Sequence, residues 1–344
     1  MRILVIGTGS IGRRHIGNLV ASGAEVSAFS HRGGRGAAPL PAGVHLWGNL
    51  DEAGAEVFDG VVVANRTDLH VDVALQFARA GSALLIEKPL SDRLAGVAVL
   101  QETARQRGLI VEAGFMLRFH PNLQWMHDHL GAGKLGKLYS IRAAVGQHLS
   151  QWRPGTDHRA GYSAKRAQGG GAVFDLVHEL DAVRWLAGDV EDVVAMMAHE
   201  PSLEVETEAI AQIGLRCASG VLAQVHLDYL RPTYGRTLEI AGSSGVLSWD
   251  YLSGTVLLEQ PGSEAAVVHR VPRTFERNDM FKAQTDHFLK RIRDHAIAAG
   301  SSLDDSVAVL RIALASHESA NTRRAIRPDE LGATFRLSPS AFPS

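Results

Sequence analysis

The chain opens on Arg2-Ile3-Leu4-Val5-Ile6 and breaks at once on Gly-Thr-Gly-Ser-Ile-Gly, residues 7–12. An aliphatic run that ends on glycines spaced G-x-G-x-x-G and then enters a helical pattern (12–23) reads as strand, tight turn and helix. Each glycine answers a separate steric demand: Gly7 permits the turn, Gly9 lets the backbone approach a pyrophosphate, and Gly12 allows helix and strand to pack closely. The backbone N–H groups at Ser10 and Ile11 would meet that pyrophosphate at the positive end of the helix.

The same alternation continues to about residue 120. Aliphatic runs at 24–30, 60–65, 82–89 and 108–114 read as buried strands, and the stretches 70–81 and 93–108 carry helical periodicity and end in glycine. Strand alternating with helix predicts a parallel sheet with right-handed crossovers, covered on both faces. Beyond 120 the pattern changes. A helical segment at 121–130 and the stretch 137–149 precede a further helix, and then come strand-like runs at 209–217, 220–230, 236–242, 245–250 and 255–260, joined by short Gly or Ser turns. The expected architecture is an α/β Rossmann dinucleotide-binding domain (1–120) followed by an α+β domain (121–344) with a mostly antiparallel, open-faced sheet. Two closing helical stretches, 280–299 and 303–325, are free to pack back on the first domain.

Composition narrows the class. A chain of 344 residues exceeds one typical core, and a net charge of -2 gives no polyelectrolyte surface for nucleic acid. The single cysteine, Cys217, excludes an intrachain disulfide framework and points to a reducing, cytoplasmic compartment. No run approaches the length of a membrane span, the 16 histidines are scattered without a ligand spacing, and no metal is expected.

At the end of the second strand, where a carboxylate would hold the ribose 2′-OH of NAD, the sequence reads Phe29-Ser30-His31-Arg32. A hydroxyl and a guanidinium in that place remove repulsion toward a 2′-phosphate and offer charge-assisted bonds to it, so NADP is expected over NAD. Further along, the strand ending Leu-Leu-Ile-Glu87 meets a proline turn that sets Lys88 at the carboxyl edge of a parallel sheet, where ligands bind. Its charge can stabilise a developing alkoxide. The bond before Pro89 is one at which a cis peptide is accessible.

With Glu87-Lys88-Pro89 in view, the chain resembles the glucose-fructose oxidoreductase, inositol dehydrogenase and rhizopine-catabolism family (Gfo/Idh/MocA), from the glycine fingerprint to about residue 328. Residues 61–75 resemble the family's fourth strand and cofactor-covering loop; Asn65 and Arg66 stand where Thr and Pro are usual, and His70 keeps its place. Residues 114–121 resemble its crossing into the second domain. The resemblance implies that Lys88 lies beside nicotinamide and substrate hydroxyl, and that Asn65, Arg66, His70, Glu87 and Pro89 belong to the cofactor site.

The stretch Gly169-Gly-Gly-Ala-Val-Phe-Asp-Leu-Val-His-Glu-Leu-Asp181 adds an acid/base candidate. Read as one helix, it places Asp175, His178 and Asp181 three apart on one face, where a carboxylate on one imidazole nitrogen leaves the other to take a substrate proton. The family spacing is Asp, His four later, then Asp three later; the first interval here is one residue short, which leaves open whether Asp175 or Asp181 supports His178.

Upstream, residues 151–171 are rich in polar and aromatic side chains and resemble one branch of the family. Trp152, Asp157, Arg159 and Tyr162, with Arg118 and His178, are the candidate substrate contacts. The expected activity is NAD(P)-dependent hydride transfer at a secondary alcohol or ketone of a sugar, cyclic polyol or sugar nucleotide, in a homo-oligomer formed through the second-domain sheet. A non-catalytic NADP-binding regulator of the same fold is the alternative.

Overall fold

A computed structural model of the chain describes residues 1–31, 39–153, 155–295, 297–298 and 300–337. Arg32, expected to face a 2′-phosphate, lies outside the described residues. The chain divides into two units, the first of Met1–Phe119 with Glu276–Val307, the second of His120–Phe275 with Ala308–Ser344.

In the first unit the elements run β1 (Arg2–Ile6), α1 (Ser10–Ala21), β2 (Glu25–Phe29), β3 (His45–Trp47), α2 (Leu50–Gly54), β4 (Gly60–Val63), α3 (His70–Ala80), β5 (Ala83–Ile86), α4 (Val97–Arg107) and β6 (Val111–Ala113). The strands form one sheet in the order β3-β2-β1-β4-β5-β6, every pair parallel. Because β1 is followed on one side by β2 and on the other by β4, strand order reverses there, and loops leaving the carboxyl ends of these strands splay apart to leave a crevice. The residues of β4 and β5 are buried throughout, which is why their aliphatic runs are unbroken. The Lys88–Pro89 peptide after β5 is cis.

The second unit contains α5 (Pro121–Gly131), β7 (Leu138–Gly146), a succession of short 3-10 turns between 149 and 168, α6 (Ala172–Asp175), α7 (His178–Ala187), and the strands β8 (Val190–Ala198), β9 (Ile210–Cys217), β10 (Leu222–Asp228), β11 (Gly235–Gly242), β12 (Gly245–Asp250), β13 (Thr255–Glu259) and β14 (Ala266–Arg270). Its sheet runs β14-β13-β12-β11-β7-β10-β9-β8. Among the described strands β7 and β10 pair parallel and the other neighbours antiparallel. Alternate residues of β7 and β10, Ile141, Ala143 and Val145 with Ala223, Val225 and Leu227, are buried on the face against which α7 packs. This is the two-residue period of a sheet with one covered face. A buried ion pair, Arg236 to Glu179 at 2.7 Å, ties α7 to β11.

The last helices divide otherwise than a contiguous second domain from 121 onward would require. Helix α8 (Arg277–Arg293) belongs to the first unit: Phe288 and Leu289 lie in one hydrophobic cluster with Ile3, Val5, Val62 and Leu85, and Arg291 donates to Glu112 at 2.7 Å. Helix α9 (Leu303–Thr322) begins in the first unit and from Ala308 counts with the second, where Ser319 accepts from the Ala195 N–H at 2.9 Å. No helix of the described residues is long and apolar enough to cross a membrane.

Candidate active site

The carboxyl edge of the first unit's sheet gathers the residues expected to hold a dinucleotide. Gly7 follows β1 with φ +110, and a side chain there would collide with the Ala64 carbonyl; one on Gly12 would collide with the Gly7 carbonyl. At Gly7 and Gly12 the turn is therefore packed closely, against the residue after β4 and against the start of α1. Gly9 is the exception, with nothing within 4 Å of where its Cβ would stand. It is the N-cap of α1, makes no side-chain cap bond, and the first turn from Ser10 carries no acidic group. The positive helix end and its N–H groups thus face open space beside a glycine.

Asn65, at the end of β4, has both amide atoms buried with no hydrogen-bond partner among the described residues. Buried amides are rarely left so, and a polar ligand group at this edge would satisfy it. These features fit a nicotinamide dinucleotide. Ser30 is buried at the end of β2, and the exposed His31 packs edge-on to Phe29 at 4.8 Å.

Other expected cofactor contacts have different work. His70 is buried, with Nδ1 2.9 Å from the Pro89 carbonyl and Nε2 3.2 Å from the Asn65 carbonyl, so it bridges the loop after β4 to the turn carrying Lys88. Burial lowers its pKa, and a neutral imidazole donates to one of those carbonyls at a time. Arg66 makes a forked pair with Asp68 at 3.0 and 2.7 Å.

Beneath the turn lies a dyad that no sequence motif announced. His15, fully buried on α1, donates through Nε2 to Glu87 Oε1 at 2.7 Å. Burial pushes the Glu87 carboxyl up, but the His15 bond and the charges of His15 and Lys88 outweigh it and hold the carboxyl below its usual range.

The second unit presents the acid/base candidate. The glycine run ends on Gly171 at φ +123, and a side chain there would strike the Glu208 carboxyl group. That carboxyl accepts from the Val173 N–H at 2.9 Å, capping α6. Burial pushes Glu208 up to about 7 and the neighbouring His317 down to about 3, so the two, 3.8 Å apart, are drawn toward neutral forms rather than an ion pair.

Helix α6 stops at Asp175, and His178 begins α7. The expected single helix is broken between them, so Asp175 and His178 do not share a helical face as periodicity required; Asp181 does lie on the helix that His178 starts. The break follows long-range bonds. Tyr229 donates to Asp175 Oδ2 at 2.6 Å, and burial, then the Asp175 charge, pushes the nearby Tyr162 phenol above its usual range. Asp175, His178 and Asp181 are all buried.

Of the expected substrate contacts, Trp152 and Tyr162 are gathered around this turn, Trp152 edge-on to Tyr229 at 5.2 Å. Arg118 is not among them: it is buried in the first unit and paired with Asp305 at 3.2 Å. Asp157 and Arg159 are exposed and pair with each other at 2.9 Å, Arg159 also with Glu204 at 2.6 Å, which makes them a surface cluster. Tyr229 and Glu208 escaped sequence reasoning, since the one follows a strand and the other precedes one without a local motif.

Residues 1–115 match the oxidoreductase family with an NAD-binding Rossmann fold, and residues 123–248 match the GFO/IDH/MocA C-terminal domain. Inositol 2-dehydrogenase 2 of Saccharopolyspora erythraea is 31% identical over 72% of this chain and 73% of its own. The chain belongs to the Gfo/Idh/MocA oxidoreductase family. Inositol 2-dehydrogenase 3 of the same organism is 28% identical over 95% of both chains. Levoglucosan dehydrogenase in complex with NADH shares the fold at a TM-score of 0.81, with 18% identity over 95% of this chain and 98% of its own. This Gfo/Idh/MocA protein is an NAD(P)-dependent oxidoreductase, and the non-catalytic regulator is set aside.

Proposed function

We propose that the chain transfers hydride between NADP and a secondary alcohol or ketone of a sugar, cyclic polyol or sugar nucleotide, with Lys88 and His178 as its working groups. The observation that carries this reading is Lys88 on the same carboxyl edge as the open glycine turn, next to a carboxylate already engaged by His15. Relatives named for inositol and levoglucosan support the substrate class.

The bound nicotinamide supplies the hydride acceptor or donor. The chain's own residues do the rest. His178 takes the hydroxyl proton as the C–H bond breaks, the Lys88 ammonium stabilises the developing alkoxide, and both reverse roles in reduction. Gly9, Ser10, Ile11 and Gly12 hold the pyrophosphate, and the Asn65 amide receives a polar group of the cofactor. Ser30 in place of an acid favours the 2′-phosphate of NADP.

Two further parts belong to this reading. The exposed side chains of Val194 and Met196 on β8 and Leu222 on β10 support a homo-oligomer through the sheet. A single, buried cysteine suits the cytoplasm.

The test is a titration of NADPH against NADH, followed by a screen of cyclic polyols, anhydrosugars and sugar nucleotides at the nicotinamide absorbance. Tighter NADPH binding and turnover of a member of these classes are expected. Lys88→Met and His178→Ala should each lower kcat by roughly 100-fold or more; turnover of His178→Ala within a few-fold of the parent would remove it from the mechanism.

A further inference from the structure

We infer that Tyr229 is a positioning residue for hydride transfer: its phenol fixes the Asp175 carboxylate and thereby the turn from which His178 projects. The inference rests on the reading of His178 as a working group.

Tyr229 is held rigidly before its hydroxyl is considered. Its N–H donates to the Ala209 carbonyl at 2.8 Å and its carbonyl accepts from the Leu149 N–H at 3.0 Å, so the residue is pinned between β9 and the 3-10 turn after β7. The ring is fully buried and Trp152 stands at right angles to it at 5.2 Å. From that fixed base the hydroxyl donates to Asp175 Oδ2 at 2.6 Å. Tyr162 lies near the same carboxylate in the loop before the glycines, with the Arg153 guanidinium 5.3 Å over its ring.

One rigidly held phenol donor on a buried carboxylate sets its orientation, at the residue where α6 ends and three before His178. Stability gives no reason for this choice. Apolar groups of the same shape in place of both partners would be nearly neutral, whereas a carboxylate and a phenol facing each other out of water must both be kept paired. The pair is therefore explained by what the carboxylate holds in place, the turn that carries His178. Burial first, and then the Asp175 charge, pushes both phenols above their usual range, so they remain donors across the working pH.

The test uses the full-length chain with NADPH, the variants Tyr229→Phe, Tyr162→Phe, Asp175→Asn and Tyr229→Phe/Asp175→Asn, and the polyol or sugar that the parent turns over. Tyr229→Phe keeps the ring and deletes the donor. It should lower kcat about 10-fold or more with KM within about threefold, because misplacing a reacting group costs rate rather than affinity. The double variant should be no slower than Asp175→Asn alone, since both remove one interaction. Amide exchange at residues 172–178 should quicken in Tyr229→Phe while that of β1 and β4 is unchanged. If Tyr229→Phe does not fold, Asp175→Asn, which alters the acceptor of the same bond, carries the same expectations, and Tyr162→Phe is the control for loss of a nearby phenol. A kcat within twofold of the parent, or unaltered exchange at 172–178, overturns the inference. Parent-like turnover by His178→Ala would instead overturn the reading beneath it, and the exchange measurement would still decide whether Tyr229 fixes the turn.

Discussion

His15 and Glu87 carry a cost and a role at a single contact. The carboxylate buried behind the Lys88 turn is met by His15 at 2.7 Å on one oxygen and by the Lys88 N–H at 3.3 Å on the other. His15→Leu leaves that carboxylate without its partner and should destabilise the fold by about 3 kcal/mol, as removal of one member of a buried pair does. The double variant His15→Leu/Glu87→Leu should recover most of the loss in chemical denaturation; no recovery would mean that the two are not coupled. Ser30 is the residue on which cofactor choice turns. Ser30→Asp restores a carboxylate at the end of β2 and should weaken NADPH binding by about 10-fold or more while strengthening NADH binding, read by fluorescence titration. The glycine spacing, the missing acid and the proposed roles of Lys88 and His178 were all read from sequence, because each is a chemical type at a fixed distance from a strand or helix end. The pairing of Arg118 was hidden for a related reason: its partner Asp305 lies far along the chain, and no local pattern shows that its charge is already engaged.

Among the elements, the buried parallel strands announced themselves through uninterrupted aliphatic runs, whereas β3, β8 and β14 did not. All three are sheet edges, with a neighbour on one side alone and exposed residues that dilute the apolar signal. The parallel pairing of β7 with β10 was equally hidden, since alternation in a strand says which face is buried and not which way its neighbour runs. The break between α6 and α7 came from tertiary bonds. Asp175 is held by Tyr229, 54 residues on, and the Val173 N–H by Glu208, 35 residues on. Glu208 gives this turn a pH dependence. Its carboxyl, ordinarily near 4.5, is raised to about 7 in the fold, so its contribution to stability is present below 4.5 and is lost as pH rises through 7. Glu208→Gln keeps an acceptor for the Val173 N–H and cannot ionise. Its stability relative to the parent should grow between pH 5 and pH 8, by up to about 3 kcal/mol, in thermal melts. A pH-independent difference would count against this.

At the scale of the whole molecule, the first unit is assembled from two separate stretches of chain, and α8 supplies part of its core. Phe288, fully buried in the cluster with Ile3, Val5 and Val62, should cost roughly 3–5 kcal/mol when replaced by Ala, measured by denaturant unfolding with dinucleotide absent. A loss below about 1 kcal/mol would mean that α8 contributes little to that core. The sequence by itself determined the Rossmann class, the glycine turn, Lys88 at a sheet edge and the change to a second α+β unit, because hydrophobic period and glycine spacing are local properties of a chain. Only the tertiary structure decided that α8 completes the first core, that His15 holds Glu87, that Asp175 is set apart from His178 by a helix break, and that Tyr229 and Glu208 hold the turn. Apart from the helix break itself, each of those facts is a contact between residues dozens to hundreds of positions apart, and such a contact exists only once the backbone has brought its partners together.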